Sequence, residues 1–482
     1  MIKKKFLLSA AAGVLSLVAL ASCGGGTKRT AGKLYICVYD GGYGTEWIET
    51  LAANYEAETG IAVEFSADES ILDRIQNQLE KTSDYDIYMS HGINWKEYAA
   101  RGWLENLDDL YASDVKVGNS TKKFSERLIP DALKISKAKN GNEEHYYKVC
   151  YTQGTGGFIY NMDMFEENGW NVPTTYDELV TLCQTIVDAK IDAGDRTTVV
   201  PFAWAGSDRQ YYWDYPVFEW WAQLAGKEKI DTILEYKGPT GKYADGYEMY
   251  NPDTYYKEFN QAYEKWYDLI ALNKDYYQSG AYGAGINTAR ALFNAGKAAM
   301  IPYAQWGKYE LIQNNDNQPL DFNIAMMKTP RVAGTTDYNY NVGFDDSIII
   351  PNNASAESKQ LAKDFLRYMA RPESCKTFVE KSDGAFLAFD YKDVELGELS
   401  KDTFINSVYK RITEMTNFNV VSQNPIAYST SEAVMPWVKN TYYYNVACAE
   451  PTKNTPAIVG KAMYDTAKAN WAIWLRNAGL SD

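Results

Sequence analysis

The strongest constraint on this chain is an alternation of two hydrophobic periods that starts at Leu34 and keeps repeating. Leu34 to Tyr39 is an apolar run that ends at Asp40-Gly41-Gly42-Tyr43-Gly44, a strand feeding a loop. Trp47, Ile48, Leu51, Ala52 and Tyr55 then recur at helical spacing, and Gly60 supplies the stop. Ile61, Val63 and Phe65 alternate as a strand, and Ile71, Leu72, Ile75 and Leu79 form a second helical stripe. Asp86 to Met89 is a short strand, after which Trp95, Tyr98 and Ala99 open a helix that ends near Gly102. Strand and helix taken in turn predict an α/β architecture, a mostly parallel sheet with helices on both faces. Ligands of such sheets sit at the carboxyl ends of the strands.

A second unit of the same kind begins near Gly154. Phe158 to Asn161 reads as a strand, and Thr175 with Glu178 forms a capping box ahead of the apolar face Leu179, Leu182, Ile186 and Val187. From Asp208 to Trp221 the chain is densely aromatic. A helix over about Thr288 to Asn294 stops at Gly296 and feeds a strand through Ala298 to Ile301. Ser347 to Ile350 is a strand closed by Pro351, and Ser355 caps a helix carrying Leu361, Ala362, Phe365, Leu366 and Met369. With 482 residues the chain has room for two or three globular units.

The N-terminus adds an address. Lys3, Lys4 and Lys5 precede an apolar run from Phe6 to Ala21, which is shorter than the ~20 residues a spanning helix needs and reads as an export signal. Leu20-Ala21-Ser22-Cys23 follows, and it resembles the bacterial lipobox. That resemblance makes Cys23 the acylated (palmitate-bearing) first residue of the mature chain, with residues 1–22 removed and 23–32 a glycine-rich tether. The expected location is the outer, extracellular or periplasmic, face of a cell membrane, reached through lipid alone. The other five cysteines are scattered without a CxxC pair, which argues against a disulfide framework and a zinc site, and Cys37, Cys150 and Cys183 sit inside apolar runs and read as buried thiols.

Composition narrows the function classes. The net charge of −15 opposes binding to phosphate backbones, so nucleic acid is not an expected partner. Two histidines in all, no GxSxG and no HExxH leave hydrolytic triads and zincins short of parts, and Gly154-Thr155-Gly156-Gly157 lacks the Gly-Lys-Ser/Thr of a phosphate loop. No metal, cofactor or enzymatic activity is expected. Aromatic residues reach 14%, including 39 Tyr and 13 Trp, and rings with a polar handle suit ligands that are part polar and part apolar.

Five segments taken in order carry a resemblance. They are Tyr55-Glu56-Ala57-Glu58-Thr59-Gly60-Ile61, then Asp86-Ile87-Tyr88-Met89 with Tyr98-Ala99-Ala100-Arg101-Gly102-Trp103-Leu104, then Ile159-Tyr160-Asn161-Met162-Asp163 with Pro173-Thr174-Thr175-Tyr176. Phe293-Asn294-Ala295-Gly296-Lys297-Ala298-Ala299-Met300 closing on Trp306, and Ser347-Ile348-Ile349-Ile350-Pro351, complete the set. Behind a lipobox, this order resembles the extracellular solute-binding proteins of ABC importers, the sugar-binding family that includes maltose-binding protein. The resemblance implies a two-lobe, periplasmic-binding-protein-like fold with a hinge and an interlobe ligand cleft. Lobe 1 would take 33–152 and a return segment 341–388, lobe 2 would take 153–340, and 389–482 would be helical and mainly on lobe 2. Hinge crossings would fall near Gln153–Thr155, near Asn341–Asp346 and after Phe386. A monomer handing a mono- or oligosaccharide to permease subunits is the implied function. The same fold holding a polyamine, peptide or organic anion is the alternative, and a surface carbohydrate-active hydrolase is a further one.

A pyranose needs aromatic faces for its C–H groups and planar polar groups for its hydroxyls. The resemblance places Trp306 as the stacking residue, against the alternative that it packs on the hinge. His91, Asn94 and Trp95 follow the third strand, and Asp40 and Tyr43 follow the first, where an Asp among glycines is also an ordinary turn former. Gln153 stands at the first crossing. Trp204, Asp208, Tyr212 and Trp213 are candidates for the platform of the second lobe, while Trp220 and Trp221 read as alternating between helix core and surface. Asp345 and Asp346 stand at the second crossing, to bind hydroxyls or to brace the hinge.

Overall fold

The computed structural model describes residues 30–140, 143–422, 424–429 and 443–480; the export signal, Cys23 and most of the tether lie outside them. The chain runs β1 (Leu34–Val38), α1 (Glu46–Thr59), β2 (Val63–Ala67), α2 (Ile71–Glu80), β3 (Ile87–Ser90), α3 (Trp95–Ala100) and β4 (Val149–Cys150). A two-residue strand, β5 (Thr152–Gln153), leads into β6 (Gly156–Asn161), α4 (Tyr176–Ala189), β7 (Val200–Phe202), α5 (Asp214–Ala225), α6 (Ile286–Asn294), β8 (Ala298–Ala304), α7 (Gly307–Gln313) and β9 (Ile324–Met327). It returns through β10 (Tyr338–Tyr340), β11 (Ser347–Ile349), α8 (Ala356–Met369), α9 (Pro372–Lys381) and β12 (Phe386–Leu387), and ends with α10 (Thr403–Glu414), β13 (Thr416–Phe418) and α11 (Pro456–Asn477).

Local chemistry sets many of these limits. Thr175 Oγ1 accepts from the Glu178 amide at 3.3 Å while the Glu178 carboxylate accepts from the Thr175 amide at 3.2 Å, which is the capping box expected at the start of α4. Ser355 accepts from the Ser358 amide at 3.1 Å and starts α8. Gly60 ends α1 in the left-handed region at φ 74°, a conformation that costs other residues more. The apolar stripe of α1 then goes inside: Trp47, Ile48 and Leu51 are buried, each worth roughly 1.5–3 kcal/mol relative to exposure.

Two sheets form two lobes. The first has the order β2-β1-β3-β11-β4, and the second β7-β8-β6-β9. β1 pairs in parallel with β2 and β3, as the alternation predicts. Of the remaining pairings all but β7–β8 are antiparallel, which corrects the expected mostly parallel arrangement. β11 runs against β3 with Ser347 opposite Ser90, and against β4 with Ser347 opposite Cys150. In the second sheet β6 runs against both β8 and β9, leaving β7–β8 as the parallel pair. The physical reason is the route of the chain. β11 re-enters the first sheet from the hinge side, so it is threaded opposite to strands that entered from the far end.

β5 pairs with β12 and β10 with β13, two short ribbons between the lobes. Residues 389–396 still pack on the first lobe beyond the edge expected at 388: Arg127 donates to Asp390 O at 2.9 Å and pairs with Asp393 at 3.1 Å, and Tyr391, Val394 and Leu396 are buried there. α10 belongs to the second lobe, where Ser407 Oγ accepts from the Met326 amide at 2.8 Å. The largest hydrophobic cluster runs from Leu34 and Tyr151 of the first lobe to Tyr215, Ile301 and Tyr303 of the second. Cys37, Cys150, Cys183, Cys375 and Cys448 are free and buried, and burial pushes the Cys37, Cys375 and Cys448 thiols up to about 12. Among the described residues no helix is long and apolar enough to cross a membrane.

Candidate functional site

The floor between the lobes is a net of hydrogen bonds joining the crossing strands. The Gly154 amide donates to Asn341 Oδ1 at 3.0 Å, and Asn339 Nδ2 donates to Gly154 O at 3.0 Å. Gln305 Oε1 accepts from the Thr155 amide at 3.1 Å, and the Gln305 amide donates to Thr155 O at 3.0 Å. A Cβ on Gly154 would stand 2.1 Å from Gln305 Cδ, so a side chain at this crossing would displace the Gln305 amide from its bond to Thr155. Arg411 and Glu219, 1% and 0% exposed, form an ion pair beneath the floor. Arg411 also donates to Gly156 O at 3.0 Å, and Glu219 accepts from the Tyr340 amide at 2.8 Å, so one pair holds both strands of the hinge.

The walls come from loops at the strand ends. On the first lobe the glycine loop after β1 lies against α7 of the second: a Cβ on Gly42 would stand 2.9 Å from Trp306 Cβ, and one on Gly44 would stand 2.6 Å from the Tyr309 ring. Within that loop the Tyr43 hydroxyl donates to Asp346 Oδ2 at 2.9 Å and sits 3.1 Å from Thr152 Oγ1. Burial, and then the Asp346 carboxylate, hold the Tyr43 phenol well above its ordinary pKa, so it stays protonated and keeps donating. On the second lobe Trp306 follows β8 and is half-buried. Its indole Nε1 donates to the Tyr212 hydroxyl at 3.2 Å, and its ring stands 6.4 Å from Tyr43, 6.2 Å from Tyr212 and 6.4 Å from Tyr215. Four aromatic rings from both lobes therefore meet at one point.

The expected site residues divide into groups. Trp306, Tyr43, Tyr212 and Asp346 come together as just described. Asp40 is exposed at the mouth of the same loop, and His91 is exposed with its ring edge-on to Tyr39 at 4.4 Å. Asn94 is exposed and donates to Glu97, and Asp208 is exposed with its carboxylate accepting from the Ile286 amide at 3.0 Å. Other candidates are used differently. Trp204, in the loop after β7, and Trp213, in the 3-10 turn before α5, are 1% and 0% exposed and pack with Phe158, Phe202 and Trp266 in the core of the second lobe. Trp95, 7% exposed, packs with Tyr98 and Tyr147 in the core of the first lobe. Gln153 spends its amide on Leu387 O and Phe389 O, at 3.0 and 2.6 Å, and braces the third crossing. The Asp345 side chain lies outside the described residues.

Several residues of the interlobe region carry no mark in the sequence. Thr152, Asn339, Asn341 and Gln305 are polar residues within apolar or mixed stretches, and only their place at the crossings gives them a role. Tyr215 is one aromatic among many. Tyr211 is 37% exposed beside Arg209, and Lys96 lines a cavity between the lobes. This cavity, of about 1020 Å³, lies between α3 and residues 137–139 and 144 on one side and residues 227–243, 419–422 and 424–425 on the other; Tyr43, Tyr212, Tyr215 and Trp306 are not among its lining residues. Among the described residues no group of three or more His, Cys, Asp or Glu side chains is placed to hold a metal ion.

Two sheeted lobes, three crossings and a ring-lined gap define a binding protein of the hinged type, and comparison with known proteins agrees. The sequence profile of the bacterial extracellular solute-binding proteins matches residues 41–374, and the chain belongs to that family. A multiple sugar-binding protein of Streptococcus mutans is 26% identical over 273 residues, covering 55% of this chain and 57% of that one. A diacetylchitobiose-binding protein, NgcE of Streptomyces coelicolor, is 26% identical over 149 residues, 30% of each chain. Both curated relatives are thus matched over less than two thirds of their length. Among solved structures, the solute-binding protein RafE in complex with raffinose superposes with a TM-score of 0.64 at 19% identity, covering 92% of this chain and 99% of that one, and shares the fold.

Proposed function

We propose that this chain captures a mono- or oligosaccharide between its two lobes and delivers it to the permease subunits of an ABC importer. The observation that carries the reading is Trp306, a half-buried indole at the lobe interface with Tyr43 from one lobe and Tyr212 and Tyr215 from the other. Rings of this kind suit the apolar faces of a pyranose, and the hydroxyls and carboxylates beside them suit its edge. The family and the sugar-binding names of its relatives point the same way. A ligand favours closure only by contacts it makes with both lobes, and this cluster draws on both. The protein works as a monomer that binds without turning over its ligand, anchored through acylated Cys23 on the outer face of the membrane.

A thermal-shift screen of the chain against a panel of mono- and oligosaccharides tests the proposal. A ligand held at 100 times its Kd adds about 2.7 kcal/mol to stability and raises Tm visibly. A polyamine, a peptide or an organic anion that raises Tm, where no sugar does, would transfer the same fold to another solute.

A further inference from the structure

Beside Trp306 a carboxylate is held by one oxygen and left open at the other. Glu310 stands one turn along α7, where its amide donates to Trp306 O at 3.2 Å, and its side chain is 16% exposed. Its Oε2 pairs with the Arg290 guanidinium of α6 and accepts from the Tyr303 hydroxyl of β8. Arg290 Nε donates to the same hydroxyl at 2.6 Å, and Arg290 Nη1 donates to Asn287 Oδ1 at 3.1 Å. Three elements of the second lobe therefore fix this carboxylate. Burial, then the neighbouring Tyr212 and the Glu310 charge, hold the Tyr303 phenol well above its ordinary pKa, so it stays a donor to Oε2. Oε1 takes no hydrogen bond from any described residue.

The open oxygen faces the other lobe. A Cβ on Gly42 would stand 3.1 Å from Glu310 Oε1 and 2.9 Å from Trp306 Cγ, so the bare backbone of the first-lobe loop passes over both the carboxylate and the indole. Burial comes first among the causes that raise the Tyr39 phenol of the first lobe and the Tyr212 phenol of the second, and the Glu310 charge acts on both. A carboxylate in an ion pair only accepts hydrogen bonds, so whatever meets Oε1 must bring a donor. A second carboxylate or a sulfate at the same place is repelled.

We propose that Glu310 is a specificity-determining contact of the ring-lined cleft, with Oε1 accepting from a hydroxyl at the edge of the sugar ring that stacks on Trp306. The ligand class is then a neutral sugar with a free hydroxyl at that edge, and uronates and sulfated sugars are refused. This rests on the reading of the Trp306 cluster as a sugar site and names its substrate class. Arg290 and Tyr303 are positioning residues, acting on the ligand through Oε2. Because they fix the carboxylate beforehand, little ordering is left to do when the hydroxyl arrives, and a bond to a charged acceptor is stronger than one between neutral groups. Gly42 lets the first-lobe loop close over the contact and shield it from water.

The test starts from a thermal-shift screen of the full chain against raffinose, maltotriose, chitotriose, galactose, trigalacturonate and spermidine. Calorimetry follows on the neutral sugar that binds best and on its monodeoxy derivatives. Glu310→Ala and one of those derivatives are each expected to lose at least tenfold in affinity. The two together should lose no more than the larger single loss, because both remove the same hydrogen bond. Glu310→Gln gives its carbonyl to Arg290 and turns its NH2 to the cleft, so it should show the same pattern with Tm closer to the parent. Losses that add for every derivative, or affinity unchanged in both variants, would reduce Glu310 to a brace and leave sugar capture standing. Trigalacturonate bound more tightly than every neutral sugar overturns the neutral class and also leaves sugar capture standing. If neither these sugars nor any other raises Tm, with or without a shift from spermidine, both readings fall.

Discussion

Tyr43, in the first loop of one lobe, donates its hydroxyl to Asp346 of the second hinge crossing at 2.9 Å, while its ring stands 6.4 Å from Trp306 of the other lobe. One side chain therefore touches the hinge and both walls of the cleft. Tyr43→Phe keeps the ring and removes the donor, while the Thr152 hydroxyl still donates to Asp346 at 2.8 Å. A hydrogen bond to a charged group is worth about 1.5–3 kcal/mol, so urea unfolding should show a loss near the lower end of that range. An unchanged midpoint would show that Thr152 and solvent satisfy the carboxylate unaided.

Trp306 is half-buried, and its indole Nε1 donates to the Tyr212 hydroxyl. Trp306→Ala is expected to cost at least tenfold in sugar affinity, read by calorimetry, since the lost stacking and burial together exceed about 1.4 kcal/mol. Trp306→Phe should recover part of it. Affinity unaffected by either change would confine Trp306 to packing on the hinge.

The Glu219–Arg411 pair is buried on both sides and reaches Gly156 and Tyr340, one on each side of the hinge. Breaking such a pair leaves a charge unpaired inside the protein at a cost of roughly 3–5 kcal/mol. Glu219→Gln should therefore lower stability by about that amount in chemical unfolding. Glu219→Met with Arg411→Met should recover a good part of the loss, because an apolar pair leaves no stranded charge. A single substitution within about 1 kcal/mol of the parent would show that water reaches the pair.

What was legible in the sequence follows the reach of each signal. α1, α4 and α8 announce themselves through stripes such as Trp47, Ile48, Leu51 and Tyr55 and through caps at Thr175 and Ser355, all of which are local. The antiparallel run of β11 is not local, because it depends on the chain crossing to the second lobe and coming back. Among site candidates, Trp306 and Tyr43 follow strands, and loops at strand ends are where ligands meet sheets. Trp204 also follows a strand, and Trp95 and Trp213 stand in the helical turns after such loops with the same chemistry, yet their rings fill cores. Periodicity within a short aromatic stretch does not separate a ring that stacks from a ring that packs. Gln153 and Asp346 are both polar groups at crossings, and only the partners that reach them tell a brace from a contact.

Asp214 gives a prediction about pH. It opens α5, is 6% exposed, and accepts from the Tyr444 hydroxyl at 2.7 Å. Burial pushes its carboxyl up to about 7, against the pull of that hydrogen bond. An unfolded Asp releases its proton near pH 4, so the folded state keeps a proton that the unfolded state has lost between about pH 4 and pH 7. The contribution of Asp214 to stability is therefore full below pH 4, declines as pH rises through that window, and stays at its lowest above 7. Summed over the window the loss is on the order of a few kcal/mol. Asp214→Asn preserves the acceptor for Tyr444 and removes the titration. Its Tm should rise relative to the parent as pH goes from 4.5 to 8, with the gap opening mostly below 7. Parallel Tm profiles for the two proteins would show that Asp214 ionises in the folded state as it does in the unfolded chain.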